Sequence, residues 1–176
     1  MQRNTLVLGW GNPGRGDDGL GPAFVRAVDD LDLPGISVDS DYQLQVEDAA
    51  EVARFGRVLF VDADRGGAEP FWLSRLWPDE RSLSFSTHSV APAAVLALTR
   101  DLFRVQPEAW IMGIRGYEFD EFREGLSDRA WFNLDQAVNY LKSAVEGNGL
   151  HELMPKAARK PIMDDREGEL CQTTNP

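Results

Sequence analysis

The chain has 176 residues, 43% hydrophobic and 27% charged, which is the composition of one globular domain and not of a disordered chain. Its formal net charge of −11 disfavours binding to nucleic acid or to anionic membrane surfaces, and its longest apolar stretch, Val90–Leu98, is too short to span a bilayer. The first residues lack a secretory signal, and the single cysteine, Cys171, excludes internal disulfides, so we expect a cytoplasmic protein with no nucleic-acid or membrane partner.

The first part of the chain predicts strands and helices in alternation. Thr5–Trp10 is a short β-rich segment that glycines interrupt at once, and the apolar residues of 20–32 recur at helical spacing. Residues 36–42 alternate in polarity like a half-buried strand, and residues 46–54 indicate a short helix. Arg57–Ala63 is a mostly apolar run that is typical of a strand covered on both faces.

The second part continues the alternation. Residues 71–77 predict a strand that could run antiparallel, residues 92–103 a helix, and residues 109–114 the last strand. Ser127 suits the N-cap of a final helix that ends at Glu146. The apolar face of that helix is predicted to consist of Trp131, Leu134, Val138, Leu141 and Val145.

Strands that alternate with helices predict an α/β fold. We expect three layers, with a twisted, mainly parallel sheet of about five strands and helices on both faces, because right-handed crossovers place the helices there. Residues 1–147 are expected to form this single domain. Residues 148–176 show little periodicity, and we expect a mobile C-terminal tail.

Polar side chains follow three of the apolar segments, at positions 17–18, 62–64 and 87–88. In open α/β sheets, ligands bind outside the carboxyl ends of the strands. We therefore expect these three polar clusters to converge on one edge of the sheet.

Asp18, Asp62 and His88 are the candidate metal ligands at this edge. Two carboxylates and one imidazole suit a borderline divalent ion with open coordination positions. A structural interpretation stays open, in which the aspartates cap a helix or accept loop amides and the histidine is a satisfied, partly buried residue. A carboxylate pair that shares one proton is a further chemical alternative.

A second ligand class is suggested by Gly9, Gly11 and Gly14, which spell GxGxxG after a strand, and by Asp39 at the end of the next strand. This spacing is typical of dinucleotide-binding sites. Pro13 argues against it, because proline supplies no backbone N–H and disfavours a helix that starts at Gly11. Two carboxylates would also face the pyrophosphate at the helix end.

Four segments, taken together and in this order, resemble the hydrogenase maturation proteases. They are GWGNPGRGDDGLGP (9–22), LFVDAD (59–64), STHSVAP (86–92) and MGIRGYEFDEFREGLS (112–127). The resemblance extends from Asn4 to about Glu146, and it implies a twisted, mainly parallel sheet between helices.

The resemblance implies an endopeptidase that removes the C-terminal extension of a nickel-iron hydrogenase large-subunit precursor after nickel insertion. It assigns Asp18, Asp62 and His88 as the catalytic and nickel-contacting residues, with Asp17 as an auxiliary neighbour. The nickel would arrive with the substrate, so no permanent cofactor is expected, and the precursor is the expected partner. A non-catalytic chaperone that senses nickel in the large subunit stays open as an alternative.

Overall fold

A five-stranded sheet lies at the centre of the computed structural model, which describes residues 4–79, 90–120 and 122–147. The strands are β1 (Thr5–Trp10), β2 (Ile36–Asp41), β3 (Arg57–Asp64), β4 (Phe71–Leu76) and β5 (Glu108–Arg115). They lie in the order β2-β1-β3-β5-β4. All neighbours are parallel except β4, which pairs antiparallel with β5, so the predicted mainly parallel α/β sheet is confirmed.

Helices cover both faces of this sheet, as the alternation predicted. They are α1 (Leu20–Asp29), α2 (Asp48–Val52), α3 (Pro92–Phe103) and α4 (Asp128–Gly147), and a short 3-10 turn, Gly16–Gly19, precedes α1. Helices α1 and α4 pack on one face, and α2 and α3 pack on the other. Among the helices of the described residues, none has both the length and the apolar character of a membrane span.

Strand β3 shows why the sheet separates two cores. Its residues Leu59 and Val61 belong to the core beneath α1 and α4, whereas Val58 and Phe60 belong to the core beneath α2 and α3. Successive side chains of a strand point to opposite faces, so a strand that is buried on both faces must be apolar throughout. All four residues are fully buried.

Two helices are shorter than their periodicity predicted. Helix α1 ends at Asp29, and the amides of Leu31 and Asp32 bond three residues back, with Asp32 at a φ of 45°. Helix α2 begins only at Asp48, whose carboxylate accepts the Gln45 amide at 2.7 Å. Tight turns replace α-helical hydrogen bonds at both places. The predicted tail at 148–176 lies outside the described residues.

Candidate active site

The strand order changes direction between β1 and β3, which are parallel neighbours at the middle of the sheet. The chain leaves β1 toward β2 on one side, whereas it leaves β3 toward β5 and β4 on the other. Connections that diverge in this way leave a crevice outside the carboxyl ends of the two strands. Asp18 follows β1, and Asp62 lies near the end of β3.

Asp18 lies in the 3-10 turn and is half-buried. Its carboxylate accepts the backbone N–H of Asn12 at 3.0 Å. The backbone of Asp18 packs directly on Gly11, where any Cβ would collide with the Asp18 carbonyl oxygen and where φ is +138°. A glycine is required at that point, since both the conformation and the space exclude a side chain.

Asp62 is also half-buried, and its carboxylate accepts the Ala63 amide at 2.8 Å. The pKa of Asp62 is raised from 3.8 to about 7, chiefly by burial and further by the charges of Asp18 and Asp64, against the hydrogen bonds from Ala63 and from the Trp10 side chain. Asp18 and Asp62 lie at the same end of two neighbouring strands, so their charges repel each other. Asp62 can therefore exchange a proton close to neutral pH.

The neighbouring aspartates have different partners. The Asp64 carboxylate accepts the amides of Gly66 and Gly67 at 2.8 and 3.0 Å, and the indole N–H of Trp72 at 2.6 Å. Asp64 therefore closes the turn after β3 by accepting these three donors.

Asp17 is fully buried, with 0% of its surface exposed. Its carboxylate accepts four hydrogen bonds, from the amides of Tyr117, Glu118 and Ser127 and from the Ser127 hydroxyl, at 2.7 to 2.9 Å. Burial alone would raise the pKa of Asp17, but these four donors outweigh it and hold the pKa below its ordinary value. Asp17 is therefore a buried anion that ties the turn to the segment after β5.

A cleft of about 470 Å³ adjoins the Asp18 turn. Its lining combines the glycine loop after β1 with the segment that leads into α4, and includes Asn12, Gly16, Gly19, Leu126 and Trp131. The prediction that Trp131 belongs to the apolar face of α4 was wrong, because 56% of its surface is exposed and it lines this cleft. Ala130 and Leu134 take the buried positions there.

No protein-family model matches the chain. A protein of Methanocaldococcus jannaschii that is assigned as a hydrogenase maturation protease is 25% identical over 161 residues, which cover 82% of this chain and 98% of that protein. The NiFe hydrogenase maturation protease HycI of Thermococcus kodakarensis has the same fold, with a TM-score of 0.64, 18% identity, and coverage of 82% of this chain and 93% of that one. The hydrogenase maturating endopeptidase HybD of Escherichia coli has a TM-score of 0.62, 21% identity, and coverage of 82% and 94%.

The chain is similar to hydrogenase maturation proteases along most of its length. The resemblance carried by the four sequence segments is thereby confirmed, and so is the α/β fold that it implied. Asp18 and Asp62, two of the three residues predicted for the site, lie at the same end of β1 and β3.

His88, the third of these residues, lies outside the described residues, as do Thr87 and the whole of 80–89. In the part of the chain that the structure describes, no group of three or more His, Cys, Asp or Glu side chains is arranged to hold a metal ion. The set of Asp18, Asp62 and His88 therefore stays a prediction.

The glycines of the GxGxxG spacing have a packing role in this fold. A Cβ on Gly9 would lie 2.5 Å from the Gly21 carbonyl oxygen, and Gly11 is pressed against Asp18. The following α-helix begins only at Leu20, well beyond Gly14, so no helix N-terminus stands at the glycine loop as a dinucleotide pyrophosphate requires. This geometry disfavours the dinucleotide interpretation.

Proposed function

We propose that the chain is an endopeptidase that removes the C-terminal extension of a nickel-iron hydrogenase large-subunit precursor after nickel insertion, and that it recognises the nickel bound to that substrate. The observation that carries the proposal is the pair of neighbouring carboxylates, Asp18 and Asp62, at the crevice between β1 and β3. Similarity to the M. jannaschii protein over nearly its whole length supports the same reaction class.

The carboxylate pair suits a cation that arrives with the substrate. Two like charges brought together raise the free energy of the ionised pair, and a divalent ion beside them lowers it. Asp18, Asp62 and His88 would act as additional ligands to nickel that the precursor already holds. Docking would then be productive only with nickel-loaded precursor, and this selection is the proofreading step.

The carboxylate pair would offer a route to peptide hydrolysis by general-base catalysis. A carboxyl with a pKa of about 7 is partly ionised at neutral pH, where a general base is most effective. A carboxylate of the pair that does not bind the nickel would be the base that takes a proton from the attacking water, because a divalent ion lowers the pKa of a carboxyl that it contacts. Nickel, when the substrate carries it, would supply Lewis-acid polarisation.

We propose that the cleft beside Asp18 binds the part of the precursor that leads to the scissile bond. Asn12 connects the two regions, since it lines the cleft while its backbone N–H donates to the Asp18 carboxylate. Trp131 and Tyr42 add aromatic surface to the same cleft. A segment lying there would contact Asn12, whose backbone N–H donates to the Asp18 carboxylate.

The test is to incubate the purified full-length chain with nickel-loaded and nickel-free precursor and to measure the product by mass spectrometry. We expect the nickel-loaded precursor to lose the mass of its extension and the nickel-free precursor to stay intact. Asp18→Asn, Asp62→Asn and His88→Ala are expected to abolish cleavage, whereas Asp29→Asn, at an exposed position at the end of α1, should cleave like the wild type.

Two results would contradict this function. A complex that forms without any change in precursor mass would indicate a chaperone that senses nickel. Normal cleavage by His88→Ala would remove that residue from the proposed set.

A further inference from the structure

Asp17 is a buried charge that the proposed cleavage does not use. Its four hydrogen bonds come from two places, the turn after β5 at Tyr117 and Glu118, and the start of α4 at Ser127. The Ser127 hydroxyl lies between two partners, because it donates to Asp17 at 2.8 Å and accepts the Ala130 amide at 3.3 Å. Asp17 therefore connects Ser127, the N-cap of α4, with the turn that carries Asp18.

Backbone contacts reinforce this connection. The Asp17 amide donates to the Glu118 carbonyl oxygen at 2.7 Å, and the Gly16 amide donates to the Arg123 carbonyl oxygen at 2.7 Å. Gly116 leaves room for the approach, since a Cβ there would lie 2.9 Å from the Asp17 Cβ. These contacts hold the 3-10 turn against the residues that precede α4.

Asp18 is fixed on its other side by β1. Gly11 packs against its carbonyl oxygen, and the Asn12 amide binds its carboxylate. The position of the Asp18 carboxylate is set between these two supports, the end of β1 and the contacts of Asp17. Loss of either support leaves the turn free to shift relative to β3.

We propose that Asp17 is a positioning residue that holds the Asp18 carboxylate at its working distance from Asp62 by clamping the Gly16–Gly19 turn to Tyr117, Glu118 and Ser127. This inference deepens the proposed endopeptidase function and rests on it. Asp17 touches neither substrate nor metal in this scheme and acts only through Asp18.

The experiment compares Asp17→Asn and Ser127→Ala with the wild type in two measurements. The first is the amide proton shift of Asn12 in the isolated chain by NMR, because this N–H donates to the Asp18 carboxylate. Asp18→Asn calibrates the shift expected when that acceptor loses its charge. The second is steady-state cleavage of nickel-loaded precursor at a temperature where every variant is folded.

We expect the Asn12 amide to move toward its position in Asp18→Asn, and we expect kcat to fall about 10- to 100-fold with KM within about twofold, as for a displaced reacting group. Ser127→Ala keeps all the backbone donors to Asp17, so it folds even where Asp17→Asn fails. Thr99→Val is the matched control. It deletes another buried hydroxyl, on α3 at the opposite face of the sheet, and should leave both the Asn12 amide and kcat unchanged.

An unchanged Asn12 amide in folded Asp17→Asn and Ser127→Ala would overturn the proposal, and so would a shifted amide with wild-type kcat. Equal loss of kcat in Thr99→Val would assign the effect to stability alone and would also overturn it. Absence of cleavage by the wild type refutes the proposed function instead, and the Asn12 amide then still decides whether Asp17 positions Asp18.

Discussion

At the scale of single residues, the aspartates at the carboxyl edge of the sheet differ in the number of hydrogen bonds that they accept. Asp17 and Asp64 each accept three or more donors within the fold. Asp18 and Asp62 are half-buried, and among the described residues Asp18 accepts one backbone N–H, whereas Asp62 accepts one backbone N–H and the Trp10 side chain. The carboxylates with fewer donors keep lone pairs for a cation or a water, which is the physical basis for assigning the chemistry to them.

The raised pKa of Asp62 predicts a pH-dependent stability. The folded chain binds this proton more tightly than the unfolded chain, so the stabilisation is complete below about pH 3.8 and is lost as the pH rises through about 7. Each pH unit in that window should lower the free energy of unfolding by up to about 1.4 kcal/mol through this group.

Urea unfolding of the metal-free chain, with chelator present, at about pH 5 and about pH 7 measures this slope. The free energy of unfolding should change less between these two pH values in Asp62→Asn than in the wild type, whereas Asp29→Asn should show the wild-type change. An Asp62→Asn chain with the wild-type slope would show that this carboxyl is ionised throughout the range.

At the scale of elements, the site depends on the close packing of α1 against the ends of β1 and β3. Gly21 lies in the first turn of α1 against the carbonyl oxygens of Trp10 and Val61. The side of α1 that faces the sheet has no room there for even a methyl group. This contact sets where the Asp18 turn, directly before α1, meets the sheet.

Gly21→Ala should therefore destabilise the chain by about 1–3 kcal/mol, although alanine is the better helix former by about 1 kcal/mol. Gly147→Ala, at the end of α4, is the matched control and should cost little or be slightly stabilising, because a Cβ added there would meet no atom within 4 Å. Urea midpoints at constant m-value measure both effects. Equal midpoints for the two variants would contradict the packing argument.

At the scale of the whole molecule, the start of α4 separates two clefts. Trp131 lines the cleft beside the Asp18 turn, whereas its neighbour Phe132 lines a second cleft of about 410 Å³ with Glu69, Tyr117 and Arg129. Both aromatic side chains are more than half exposed, so truncating either costs the fold little. Substitutions of Trp131 and Phe132 therefore test contact with the substrate with little effect on the stability of the fold.

Trp131→Ala should raise KM for nickel-loaded precursor by about tenfold with kcat nearly unchanged, since large exposed aromatics dominate protein contacts. Phe132→Ala should leave both constants within about twofold. Steady-state cleavage rates over a range of precursor concentrations measure the difference. A larger increase in KM for Phe132→Ala than for Trp131→Ala would indicate that the substrate binds in the second cleft.

The sequence alone determined the elements and the edge of the sheet where the chemistry is expected. Hydrophobic periodicity is a local property, so the five strands and the helices could be located within a few residues of their observed bounds. The alternation of strands and helices then required a mainly parallel sheet, and a parallel sheet collects Asp18 and Asp62 at the same end.

Only the tertiary structure decided which hydrogen bonds each aspartate accepts. The donors to Asp17 lie 100 to 110 residues away along the chain, and no local pattern distinguishes Asp17 from Asp18. Likewise, the helical spacing that grouped Trp131 with Leu134 could not show which neighbour would cover each of them. Hydrogen bonding and burial are properties of surroundings assembled from distant segments, and these surroundings exist only in the folded chain.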